Sequence, residues 1–216
     1  MPQLTFKPYK HLNIRNIIFD LGGVILDIDY QKTLNEFKKL GVNNLETLFT
    51  LTSQTELFNK LDCGLISEDD FRATLKQHIN IPLSNADIDF AWNALLLEWN
   101  IERLTLLENL MPNYKIFLLS NTNIIHSKIY NQKLMNLTNG KDLKHFFHKV
   151  YYSYEVGLRK PNPEIFKRVL NQNNLLPNET LFIDDTLEHI NAARALAINC
   201  YNINPKAGET VLDLFS

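Results

Sequence analysis

Five short apolar stretches stand out along the chain, at residues 14–19, 115–119, 150–153, 180–183 and 199–203. Each is rich in β-branched or aromatic residues and runs into a polar or glycine-bearing turn. That is the pattern of strands covered on both faces. Around the later stretches the apolar spacing becomes helical, over 123–136, 164–171 and 186–196. Asn162 followed by Pro163 marks a helix start, with a capping side chain and then a proline in the first turn. Strand and helix in alternation predict a parallel α/β sheet with right-handed crossovers.

The interval between the first two strands reads differently. From 30 to 99 the pattern predicts amphipathic helices and no strand. Residues 31–40 place Leu34, Phe37 and Leu40 on one face. Ser67 and Asp70 stand in capping-box spacing before Phe71, Leu75 and Ile79. Ser84 and Asp87 repeat that opening ahead of a stripe of Ala91, Trp92, Leu95, Leu96 and Trp99. So long a crossover, with apolar faces of its own, predicts a small helical domain at 30–99 inserted into a core made of 1–29 and 100–216.

The 216 residues carry 22 Lys and Arg against 24 Asp and Glu, a net charge of −2. This balance argues against a surface built to coat nucleic acid or anionic lipid. No apolar run nears the roughly 18 residues of a membrane span, and the N-terminal stretch lacks the apolar core of a secretion signal. Two cysteines, Cys63 and Cys200, make neither a disulfide framework nor a zinc site. The expectation is a cytoplasmic enzyme that acts on a small molecule, with no nucleic-acid or membrane partner.

Candidate chemistry gathers where strands end. The first strand runs into Asp20-Leu21-Gly22-Gly23. In an open parallel sheet ligands bind beyond the carboxyl ends of the strands, and paired glycines let backbone approach a ligand closely. The second strand runs into Ser120-Asn121-Thr122-Asn123, whose hydroxyls, amides and helix N-terminal N–H groups suit phosphate oxygens. After the third comes Arg159-Lys160-Pro161, and after the fourth the pair Asp184-Asp185, able to complete a hard-cation site. Each has an ordinary structural explanation taken singly. Four at successive strand ends point to one site.

These motifs, in this order, resemble those of the haloacid dehalogenase (HAD) superfamily. Asp20-Leu-Gly-Gly-Val matches the first motif, Ser120 the second, Lys160 the third and Asp184-Asp185 the fourth. The helical insertion resembles a C1-type cap, and Cys63-Gly64-Leu65-Ile66-Ser67 with Phe71 is similar to a recurring cap motif. The combination is most similar to the sugar-phosphatase, glucose-1-phosphate-phosphatase-like branch. The resemblance implies a Rossmann-like parallel core and a Mg²⁺-dependent phosphomonoester hydrolase acting on a small phosphorylated substrate, with a sugar phosphate as the expected class. It implies Asp20 as the nucleophile that forms an aspartyl-phosphate, and Lys160 as the cation that tempers charge repulsion. Mg²⁺ would be held by Asp20, the Gly22 carbonyl and Asp185. Asp184 would support the metal or orient Lys160, and Ser120 and the Asn121 N–H would hold the phosphate.

One position departs from the pattern. Most phosphatases of the superfamily carry a second aspartate, the general acid, where this chain has Gly22. A backbone carbonyl can still ligate a cation there, but proton delivery to the leaving group has no evident source. A steep dependence of the chemical step on leaving-group acidity follows. Asp27 and His126 are the candidates to supply the proton, though Asp27 and Asp29 could equally cap the first inserted helix, and His126 could simply pack. Trp92 and Trp99 read as core, and the two cysteines as inert. Two other functions compete: a 2-haloacid dehalogenase-like hydrolase, which needs no metal and so has no use for paired carboxylates, and a non-catalytic phosphate-binding protein.

Overall fold

The computed structural model describes residues 4–9, 12–42, 52–79 and 81–216. Its centre is a five-stranded parallel sheet in the order β5-β4-β1-β6-β7. The strands are β1 (Asn16–Phe19), β4 (Lys115–Ser120), β5 (Lys149–Tyr152), β6 (Thr180–Asp184) and β7 (Asn199–Asn202). They coincide with the five apolar stretches to within two residues. From β1 the chain builds outward through β4 and β5, then crosses back to add β6 and β7 on the other side. The order therefore reverses at β1, where such sheets bind ligands.

Alternation along β1 sends Ile17 and Phe19 to one face and Ile18 to the other, and all three are fully buried. The first face packs against α5 (Ile101–Leu110) and α6 (Ile124–Leu137) through Leu107, Leu110, Tyr130 and Leu134. A short helix, α7 (Leu143–Phe146), closes its edge. On the second face, α9 (Pro163–Asn173) and α10 (Leu187–Arg194) contribute Ile165, Phe166, Val169, Ile190 and Ala193. Asn162 caps α9 as its sequence implies, its Oδ1 accepting from the Glu164 N–H at 3.0 Å. A one-turn helix, α8 (Ser153–Val156), follows β5.

Among the described residues of the 30–99 interval are four helices: α1 (Tyr30–Lys39), α2 (Thr52–Asp62), α3 (Glu68–Ile79) and α4 (Asn85–Asn93). They bury a separate apolar cluster that includes Phe37, Leu61, Phe71, Leu75, Ile88 and Trp92. The two capping boxes form as the spacing implies. Ser67 Oγ accepts from Asp70 N–H at 3.0 Å and Ser84 Oγ from Asp87 N–H at 3.1 Å. Asp29 caps α1, accepting from Gln31 N–H at 2.9 Å.

The expectation that 30–99 holds no strand is corrected. The stripe from Ala91 to Trp99 fits a helical period, but α4 ends at Asn93. Leu96–Trp99 forms β3, antiparallel to β2 (Leu26–Ile28), with Leu26 opposite Trp99 and Ile28 opposite Leu96. Partner strand and burial override the local period here. Trp99 joins the core of the main sheet and Trp92 the helical cluster, so both tryptophans are core, on different elements. The β2–β3 ribbon is where the chain passes from the sheet to the four helices and back.

Candidate active site

Asp20 follows β1 directly, and its N–H donates to the Ile183 carbonyl of β6 at 2.9 Å, which fixes it against the neighbouring strand. Asp184 ends β6 and is fully buried. Lys160, also fully buried, lies between them: its Nζ is 2.7 Å from Asp20 Oδ1 and 2.7 Å from Asp184 Oδ2. Asp184 accepts in addition from Thr186 N–H at 2.8 Å and is 3.0 Å from His189 Nδ1, so its oxygens are committed within the protein. This leaves Asp185, partly exposed and accepting from Thr186 Oγ1 at 3.2 Å, as the less committed carboxylate of the pair. Oxygens of Asp20, Asp184 and Asp185 all lie within 4.8 Å of one another.

The electrostatics follow from that crowding. Burial pushes the Asp20 carboxyl up to about 7; Lys160 pulls it down and Asp184 pushes it up. Asp185 is likewise raised, by burial and then by Asp184. Asp184 goes the other way: burial would raise it, but Lys160 and His189 together hold it below the usual carboxylate range. Lys160 loses to burial and regains more from Asp184 and Asp20, so it stays charged. Three carboxylates thus share one ammonium. The unbalanced negative charge and the all-oxygen donor set fit a hard divalent cation.

The glycine turn is built for this. The Leu21 carbonyl accepts from the N–H groups of Ile25 at 2.9 Å and Leu26 at 2.8 Å, winding the chain tightly after Asp20. Gly23 has φ +74°, and a Cβ there would overlap the Asp185 carboxylate. At Gly22 a Cβ would come within 3.0 Å of Ile28 Cδ1. The place of the acid expected in most phosphatases of the superfamily is therefore narrowed by an apolar side chain.

Ser120, buried at the end of β4, and Asn121 flank the centre. The Asn121 side chain is fully occupied with Lys160: its Oδ1 accepts from the Lys160 N–H and its Nδ2 donates to the Lys160 carbonyl, both at 2.8 Å. The backbone N–H of Asn121 remains available to an anion. Beside these residues opens a cavity of about 410 Å³, whose walls include Gly22, Ile28, Phe58, Ser120 and Asn121.

The two candidate proton donors from the sequence fare differently. Asp27 does not line the cavity; its carboxylate is 2.7 Å from Arg103 Nη1, tying β2 to α5. His126 does line it, but its Nδ1 is 2.9 Å from Asn93 Oδ1 and its ring stacks on Trp92 at 5.2 Å. Burial drops its pKa to about 3, so the imidazole is neutral at physiological pH. Sequence reasoning missed His189, five residues beyond Asp184, whose spacing on α10 was the available signal. It also missed Tyr30, exposed at the cavity mouth, and Asp62, which no local pattern marks. Both cysteines are thiols, with burial pushing Cys63 up and Cys200 to about 12, as expected of unreactive groups.

Fold and site together define the class: an α/β enzyme with a carboxylate centre at the carboxyl end of a parallel sheet. The family model for haloacid dehalogenase-like hydrolases matches residues 14–196, and the chain belongs to that family. It is 34% identical over 189 residues to the D-ribitol-5-phosphate phosphatase of Bacteroides thetaiotaomicron, covering 87% of this chain and 91% of that one. Among solved structures it is similar to a HAD family enzyme of the same organism in complex with magnesium and inorganic phosphate. The TM-score is 0.83 at 36% identity, over 94% of this chain and all of the other. An L-2-haloacid dehalogenase from Xanthobacter autotrophicus shares the fold, with a TM-score of 0.57 at 18% identity over 88% of this chain and 77% of that one.

Proposed function

We propose that this protein is a Mg²⁺-dependent phosphomonoester hydrolase in which Asp20 is the nucleophile. The observation that carries the reading is Lys160, buried and bridging Asp20 and Asp184 at 2.7 Å each, beside Asp185 and the Gly22-Gly23 turn. An anionic nucleophile and a phosphate dianion repel; two unit charges 4 Å apart cost about 4 kcal/mol at an effective dielectric near 20. Lys160 offsets part of this while holding Asp20 in place. A relative solved in complex with magnesium and inorganic phosphate supports Mg²⁺ and a phosphate ester as cofactor and substrate class.

Asp20, the Gly22 carbonyl and Asp185 would hold the cation, with Asp184 anchoring Lys160. When bound, Mg²⁺ supplies positive charge to the phosphoryl oxygens. The chain's own residues do the rest. Asp20 attacks phosphorus and the P–O ester bond breaks, giving an aspartyl-phosphate and the alcohol. Ser120 and the Asn121 N–H orient the transferring phosphoryl group. Water then attacks the phosphorus and regenerates the Asp20 carboxylate. A dehalogenase displaces halide from carbon and has no use for the uncompensated charge at this centre, which speaks against that reading.

The phosphatase named for D-ribitol 5-phosphate supports a sugar or polyol phosphate as substrate, and a cavity of about 410 Å³ suits a molecule of that size. Residues 30–99, with their own apolar cluster, would act as a cap over the cavity. No described helix is long and apolar enough to cross a membrane, and the two thiols accord with action on a cytoplasmic metabolite. The test is a Mg²⁺-dependent phosphate-release screen across sugar, polyol, nucleotide and organic-acid phosphates. Release from a sugar or polyol phosphate is expected; no release from any ester would overturn the proposal.

A further inference from the structure

We propose that Asp62, at the end of α2, is the general acid that replaces the one missing at Gly22. The inference rests on the phosphatase reading above. Asp62 supplies the one carboxylic acid among the described residues that line the cavity, which Gly22, Ser120 and Asn121 also line. The two residues suggested by the sequence do not serve: Asp27 is spent on Arg103 outside the cavity, and His126 is a neutral imidazole held by Asn93.

Asp62 is held in place from the core side. Asn123 Nδ2 donates to its Oδ1 at 3.2 Å, and Asn123 is the buried residue that caps α6, three positions after Ser120. Arg159, next to Lys160, sits 3.7 Å from its other oxygen and also donates to Asn59, one turn back on α2. The loop that follows, Cys63-Gly64, is packed just as closely. Gly64 has φ +64°, and a Cβ there would overlap the Tyr154 carbonyl on α8. The recurring motif beginning at Cys63 thereby gains a purpose: it seats Asp62 against the core. Burial, outweighing Arg159 and Asn123, raises the Asp62 carboxyl above its ordinary value, the direction that suits a general acid.

The step balances as follows. As Asp20 Oδ bonds to phosphorus and the ester P–O bond breaks, the Asp62 proton passes to the departing oxygen, which leaves as neutral alcohol. Asp62, now a carboxylate, takes a proton from the water that attacks the aspartyl-phosphate, so phosphate departs and both residues return to their starting states. The steep leaving-group dependence implied by Gly22 alone is thus replaced by a shallow one.

The experiment measures single-turnover alcohol release with Mg²⁺ from 4-nitrophenyl, phenyl and benzyl phosphate, whose leaving groups are similar in size and progressively less acidic. The wild type is expected to release all three at rates within about tenfold of one another. In Asp62→Asn, whose amide oxygen can still accept from Asn123, the loss should grow along the series. It should stay below about tenfold for the nitrophenyl ester and reach about 10²–10⁴ for the benzyl ester, the range a positioned acid supplies. Asp27→Asn and His126→Gln should show no such gradient. An equal loss on all three esters would make Asp62 structural and overturn the proposal, as would no loss on the benzyl ester or a steep gradient already present in the wild type. If the wild type releases nothing from any of the three, it is the phosphatase reading that fails, a result distinct from the others.

Discussion

Replacing Lys160 by Met removes the one ammonium at the carboxylate centre while keeping an unbranched side chain of similar length. The contacts at stake are two, at 2.7 Å each, among groups that are fully or almost fully buried. At an effective dielectric of 20 each is worth about 6 kcal/mol of Coulomb attraction, most of it offset by the desolvation of the charges. What remains when one partner is removed is the uncompensated charge of Asp184, and breaking a buried pair in this way costs about 3–5 kcal/mol. Urea denaturation in chelator, so that no cation substitutes for the lost ammonium, should show a midpoint lowered by about 1–2 M with an unchanged slope. The double variant Lys160→Met/Asp184→Asn should recover about 1–3 kcal/mol of that loss, because it discharges the stranded carboxylate. A single-variant loss below about 1 kcal/mol, or strict additivity in the double, would refute the bridging role.

Chelation should abolish turnover, and Asp185→Ala should raise the Mg²⁺ concentration for half-maximal activity by at least about tenfold; activity indifferent to chelator would contradict the cation site. Gly23→Ala should destabilise the fold by about 1–2 kcal/mol through its left-handed backbone and, by displacing Asp185, weaken Mg²⁺ in the same titration. Stability in chelator should also depend on pH with a definite sign. Asp20 is raised to about 7 from an ordinary value near 3.9, so the native state holds a proton that the unfolded chain releases. The Asp20 contribution to stability should therefore be constant below about pH 4, fall by at most about 4 kcal/mol between about pH 4 and 7, and level off above, with Asp185 adding in the same direction; Asp184, held low, acts oppositely and only below about pH 4. Saturating Mg²⁺ should flatten that slope, and a rise in stability across the window would contradict the sign.

The core was legible because its signals are local and redundant. Strand runs such as Ile17-Ile18-Phe19 can only be buried, and Asp20, Ser120 and Asp184 sit at strand ends that the parallel arrangement brings to one edge, with Lys160 in the loop between α8 and α9. The β3 strand was hidden because Leu96 and Trp99 satisfy a helical spacing as well as an extended one, and its partner at Leu26–Ile28 is a long-range fact. The division of labour between Asp184 and Asp185 is also tertiary, since it depends on which of the two faces Lys160. Asn121 has a tertiary role that its sequence did not show. Its position was evident, but its side chain is committed to Lys160 rather than to an anion. Asp62 was invisible for the opposite reason. It lies 42 residues from Asp20 in sequence, at the end of an ordinary helix, and reaches the cavity only because Asn123 and Arg159 hold it there.

In the proposed reaction Asp20 carries the phosphoryl group. Wild-type protein mixed with Mg²⁺ and a reactive aryl phosphate, acid-quenched within one turnover and digested, should yield a phosphorylated peptide whose modified residue maps to Asp20. The same treatment of Asp20→Asn should yield none. Phosphate release at full rate with the label on another residue, or with no protein-bound phosphoryl group at any quench time, would contradict the account.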